Sequence, residues 1–165
     1  MKAVYTRLTE LLGQPPDGIM FNRFVAEVGC EPIIDPPAYT FSTLGVELVV
    51  ADQLFSVLLM HIDTPSTRQG WINSYECDLP NGIDHADGPE TIEQKLSVRP
   101  MNSERLSLIG LSPKDVRSTY VLPPLILLFD FAADTQKLTS ISISLSPEPL
   151  LSGDFQLRKK RSPGS

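Results

Sequence analysis

Apolar residues recur at helical spacing twice near the amino terminus. Val4, Leu8, Leu11 and Leu12 form one stripe with Gly13 as its stop. Phe21, Phe24, Val25 and Val28 form a second, ended by Gly29. Between them Gln14-Pro15-Pro16-Asp17-Gly18 breaks the chain, with Asp17 a candidate cap. After a loop from Glu31 to Pro37 the period changes. Ala38 to Phe41 reads as a strand, and Gly45 to Val50 with Leu54 to Ile62 reads as a hairpin about Ala51-Asp52-Gln53. A second hairpin joins Leu125–Phe131 to Leu138–Leu145 through a turn at Ala132 to Gln136. In its second strand Ile141, Ile143 and Leu145 alternate with Ser140, Ser142 and Ser144, which predicts one buried and one wet face. Leu125–Phe131 is apolar at nearly every position, as a central strand would be.

Between the hairpins, Asp87, Pro89 and Glu90 predict a helix start for Thr91 to Leu96. Ser112-Pro113-Lys114-Asp115 predicts a short turn running to Arg117. The two halves share a loose plan of helix followed by antiparallel strands. The expected fold class is α+β: two amino-terminal helices packed on a mainly antiparallel sheet, built from two hairpins with a helical insertion between them. Residues 1–148 form the single domain of this reading, and 149–165 a flexible tail with a basic cluster.

Charge sharpens this outline. The 165 residues carry 14 basic and 20 acidic side chains, a net charge of −6. Arg158, Lys159, Lys160 and Arg161 sit at the end, so the chain before Asp154 holds 10 basic and 19 acidic groups. A body that acidic is repelled by nucleic acid and by anionic membrane and suits cationic proteins or metal ions. The carboxylates concentrate in Glu76, Asp78, Asp84, Asp87, Glu90 and Glu93, with no lysine or arginine between Arg68 and Lys95. Neither a secretory leader nor a membrane-spanning run is apparent, so a cytoplasmic location with reduced Cys30 and Cys77 is expected.

Two chemical readings compete for these residues. His61, Asp63, His85 and Asp87 supply imidazole and carboxylate donors for a small metal-dependent enzyme. No paired Cys-x-x-Cys, His-Glu-x-x-His, Gly-x-Ser-x-Gly or phosphate-cradling glycine loop accompanies them. The preferred reading therefore calls for no catalytic residue, resident metal or cofactor. The second reading is a docking surface, with Trp71 and Tyr75 as aromatic anchors beside the acids. Trp71 reads first as a lid over the sheet edge, and then as such an anchor.

Tyr39-Thr40-Phe41, Leu44-Gly45-Val46-Glu47-Leu48 and Leu79-Pro80-Asn81-Gly82-Ile83 follow one another between a helix and a final hairpin, over about Phe21 to Leu145. That order resembles the one in small bacterial immunity proteins of polymorphic toxin systems, including those guarding against type VI secretion effectors. The resemblance implies a non-enzymatic inhibitor that binds and neutralises a cognate toxin. A basic, nuclease-type toxin would meet the surface formed by Trp71, Tyr75, Glu76, Asp78, Asp84, Asp87, Glu90 and Glu93. A structural subunit of a secretion or envelope complex is the remaining alternative.

Overall fold

The computed structural model describes residues 3–105 and 116–145. The turn expected from Ser112 to Asp115, the boundary at 148 and the basic cluster lie outside these residues. The helices are α1 (Val4–Glu10), α2 (Ile19–Val28), α3 (Pro65–Arg68) and α4 (Pro89–Leu96), with a 3₁₀ turn at Pro80–Gly82. The strands are β1 (Ile33–Asp35), β2 (Ala38–Phe41), β3 (Val46–Ala51), β4 (Leu54–His61), β5 (Asn102–Arg105), β6 (Val116–Leu122), β7 (Leu125–Phe131) and β8 (Leu138–Leu145).

All eight strands join one antiparallel sheet in the order β1-β2-β3-β4-β8-β7-β6-β5. The order reads outward from the β4–β8 seam as the same meander twice. Each expected hairpin is thus the inner pair of a four-stranded half. β1, β5 and β6 extend the sheet beyond the hairpins, and Arg117 belongs to β6 rather than to a turn.

Strand register decides which side chains share a face. One row runs Tyr39, Leu48, Leu58, Ile143, Leu127, Tyr120, and the next Phe41, Val46, Met60, Ile141, Phe129, Ser118. Most members are fully buried and form one core with Leu8, Leu11, Leu12, Phe24, Ile92 and Leu96 from the helical segments. Each large apolar side chain so buried contributes on the order of 1.5–3 kcal/mol. Phe21 of α2 meets Tyr39 at 5.6 Å and Phe55 at 5.0 Å between ring centroids, and Phe24 meets Phe41 at 5.6 Å. Those contacts seat α2 over β2–β4. Arg7 of α1 lies over the Phe24 ring and pairs with Glu27, locking α1 to α2.

The helix ends differ in part from expectation. Gly29 caps α2 in the left-handed conformation, φ 68°, as its position suggests. The N-caps of α2 and α4 are Gly18 and Gly88, not Asp17 or Asp87, and neither makes a side-chain cap bond. The serine face of β8 is also not uniformly wet. Ser140 is buried and donates to Asp130 Oδ2 at 3.1 Å, while Leu145 is exposed.

Candidate functional site

After β4 the chain turns through α3 and is strapped back across the β2–β3 turn. Asn73 N donates to Ser42 O at 2.7 Å, Tyr75 N to His61 O at 2.7 Å, and Ser74 Oγ to Ile62 O at 2.5 Å. The crossing depends on Gly45, whose φ is +81°. A Cβ there would lie 2.5 Å from Asn73 O and Tyr75 N, so only glycine admits the strap. The Gly45-Val46-Glu47-Leu48 motif therefore has a packing reason. Between strap and sheet end is a hollow of about 600 Å³ lined in part by Leu44, Ile62, Asp63, Asn73, Glu76 and Cys77.

Trp71 stands on this strap with 76% of its surface exposed, so it is no lid. Tyr75 is a correction to the expected surface: it is fully buried and its hydroxyl donates to Asp78 O at 2.9 Å. Burial, and secondarily the Asp78 carboxylate, push its ionisation far above the usual tyrosine range. Burial and then Asp78 likewise push the Tyr5 hydroxyl up to about 12. Tyr75 belongs to the core that holds the acidic segment, not to a surface a partner can touch.

The six carboxylates separate into three kinds. Glu76 and Glu90 are exposed and make no hydrogen bond or ion pair among the described residues. Asp78 and Asp84 are exposed but also have local duties. Asp78 Oδ1 accepts from Tyr5 N at 3.4 Å, and Asp84 Oδ1 from Ala86 N at 2.9 Å. Asp87 and Glu93 are half-buried. Asp87 Oδ2 accepts from Lys95 Nζ at 2.6 Å and from Asp84 N at 2.8 Å. Burial raises its carboxyl, but the Lys95 bond, the Asp84 amide and the Lys95 charge outweigh that and hold it below the usual range. Lys95 also donates to Gly82 O at 3.0 Å, tying α4 to the Leu79–Ile83 turn, where Leu79, Pro80 and Ile83 are buried. Glu93 lies close enough to Tyr120 to raise that hydroxyl, after burial as the main cause.

A second polar group spans the opposite face of the sheet. The row His61, Ser140, Asp130, Arg117 crosses β4, β8, β7 and β6. Arg117 grips Asp130 with two bonds of 2.7 and 3.0 Å. His61 is buried, with Nε2 2.6 Å from Glu47 Oε2 and Nδ1 3.0 Å from Thr64 Oγ1. The bond to His61 first, opposed by burial and aided by the His61 charge and Thr40, holds the Glu47 carboxyl below its usual range. An ionised Glu47 only accepts, so Nε2 carries the proton. The order hydroxyl, imidazole, carboxylate parallels that of a hydrolytic triad. Here, however, Thr64 is the N-cap of α3 within a reciprocal capping box with Thr67. The relay anchors α3, and with it the strap, to the sheet.

The proposed metal ligands are not brought together. His61 is held by Glu47 and Thr64, Asp63 pairs with Arg68, and Asp87 pairs with Lys95. His85 tilts over the Tyr75 ring at 6.3 Å, and its Nε2 has no hydrogen-bond partner among the described residues. Among the described residues no three acidic, imidazole or thiol groups are placed to hold a metal ion. Cys30 and Cys77 are unpaired thiols. Burial, then Asp78 and Glu76, push the Cys77 thiol up, away from the thiolate form a nucleophile needs. The relay and the Asp130 row had one sequence signal: Glu47 and Asp130 are lone carboxylates inside otherwise apolar strands.

No family model and no curated protein matches the chain. Among solved structures, it is similar in fold to an extracellular protein containing a SCP domain from Bacillus anthracis str. Ames. The TM-score is 0.52 at 12% identity, over 87% of this chain and 47% of that one. The chain thus spans about half the length of that protein, and the likeness concerns fold alone.

Proposed function

We propose that this protein is a cytoplasmic binding protein of the immunity type, which neutralises a basic, nuclease-type toxin by occupying its surface and does no chemistry of its own. The observation that carries the reading is the contrast on the strap, the loop after it and the first turn of α4. A highly exposed indole, Trp71, precedes four exposed carboxylates, Glu76, Asp78, Asp84 and Glu90, while the lysine of that region is folded inward onto Asp87. Uncompensated charge of one sign accelerates encounter with an opposite charge, and an exposed tryptophan supplies holding energy once desolvated. A toxin that cuts nucleic acid must itself be basic around its active site. Among the described residues no helix is long and apolar enough to cross a membrane.

Relative to the expected surface, Tyr75 leaves the interface, and Asp87 and Glu93 become its supports. The test is co-expression with the product of the neighbouring gene. Growth rescue by the native chain, lost in Trp71→Ala combined with Glu76→Gln and Glu90→Gln, is the expected result. A native chain that neither binds that product nor rescues growth overturns the proposal.

A further inference from the structure

On the far side of the sheet from β5, β1 is an open edge with no strand beside it among the described residues. Its Ile33 and Ile34 are 61% and 56% exposed, an apolar edge of the kind proteins normally cover or charge. Between β1 and α2 lies a hollow of about 820 Å³, lined in part by Phe21, Val25, Ile34, Tyr39 and Val50. Asp17 and Glu31 are its carboxylates, and no lysine or arginine lines it. Asp17, Glu31 and Asp35 are exposed and pair with no cation among the described residues.

The backbone of this edge is as one-sided as its charge. Val50 N donates to Pro37 O at 2.9 Å, so Pro37, Tyr39 and Phe41 turn their backbone groups to β3. Ala38 and Thr40 therefore turn theirs to β1, where they meet Asp35 and Ile33. A carbonyl and the following amide point opposite ways across a trans peptide. The groups left facing outward are thus the Ile34 amide, the Ile34 carbonyl and the Pro32 carbonyl, and Pro32 has no amide to add. The edge offers more acceptors than donors, and its side chains are anionic.

We infer that β1 is a docking edge for an extended cationic segment of a partner protein, added as a strand antiparallel to β1. The residue opposite Ile34 shares its face, so an apolar side chain there enters the hollow beside Tyr39. The residues opposite Asp35 and Glu31 lie on the other face, where cations meet the two carboxylates. Amides of the incoming strand satisfy the Ile34 and Pro32 carbonyls. A second copy of this chain fits the edge worse. Paired about Ile34, it sets the Pro32 carbonyl against Pro36 of the other copy, which has no amide to give. Paired about Ile33, it sets Glu31 directly against Asp35 of the other copy, and like charges so placed repel. The inference stands apart from the toxin-binding reading, because Val50 and Gln53 place the hollow at the end of β3 away from Gly45 and the strap.

The test uses the full chain and follows hydrogen exchange of single backbone amides by NMR. The probe is an end-blocked peptide of four Val-Lys repeats, which puts apolar side chains on one face and cations on the other. Its expected effect is to slow exchange of the Ile34 amide about tenfold, while the Ile33 and Asp35 amides, turned to β2, are protected with or without it. N-methylation of its valines, whose amides face β1, abolishes the effect; N-methylation of its lysines does not. A Val-Glu peptide gives no protection, and Glu31→Lys/Asp35→Lys weakens binding of the Val-Lys peptide about tenfold with β3 and β4 exchange unchanged. An Ile34 amide that the Val-Lys peptide leaves unchanged overturns the inference, as does equal protection by the Val-Glu peptide. So does an Ile34 amide already protected in the free chain, since that assigns the edge to another part of this chain or, where protection rises with protein concentration, to a second copy.

Discussion

The acidic strap and the polar row across the sheet use the same side chains to opposite ends. Both hold carboxylates beside a histidine. In the row every charge has a partner at hydrogen-bond distance: Asp130 is gripped by Arg117 and Ser140, and Glu47 by His61 and Thr40. In the acidic segment Glu76 on the strap and Glu90 in α4 have none among the described residues. Density of charge along a sequence thus says little about its use. What matters is whether folding delivers partners, and register delivers them to the row while the strap is left to solvent.

The comparison breaks most severely at the joint between the two regions. Gly45→Ala sets a Cβ 2.5 Å from the Asn73 and Tyr75 backbone at a left-handed φ. We expect a loss of about 3 kcal/mol or more, read by urea denaturation. Next comes the row itself. Asp130→Ala leaves the buried Ser140 hydroxyl without its acceptor and releases the Arg117 grip, with an expected loss of about 2–3 kcal/mol.

A smaller effect separates the regions by pH. The folded Glu47 carboxyl titrates below its unfolded value of 4.5, so its contribution is fully present above that pH. It is lost as pH falls through the folded value. Denaturation midpoints measured from pH 7 to pH 3 should decline less steeply in Glu47→Gln than in the native chain, after a loss of about 1 kcal/mol at pH 7. The smallest effect belongs to the strap. Glu76→Gln, Asp78→Asn, Asp84→Asn and Glu90→Gln together should change stability by no more than about 0.5 kcal/mol, because the amides retain the acceptor oxygens that Tyr5 and Ala86 use.

The parts of this fold legible in the sequence are those set by local period. The stripes of α1 and α2, and the β3–β4 and β7–β8 hairpins, follow from spacing alone. β1 did not announce itself, because Pro32 and Pro36 flank three residues whose strand character comes from pairing with β2. β6 was obscured by its polar Arg117-Ser118-Thr119 and by Pro123-Pro124, although Ser118 and Tyr120 face the core. The row from Glu47 and His61 to Asp130 and Arg117 is assembled from distant strands, and no local pattern encodes such a register. Trp71 reads as an anchor or as a lid, and the structure leaves it exposed on the strap. Tyr75 was misjudged because its neighbours are polar, while the strap turns its ring inward against His85.

The central claim is that the strap carries charge for a partner and not for the fold. It is tested most directly by stopped-flow association with the neighbouring gene's product, using the native chain and the fourfold neutralised variant at low and high salt. The account predicts association at least tenfold slower for the variant at low salt, a difference that shrinks at high salt, and an unchanged denaturation midpoint. Equal association rates at low salt would contradict it.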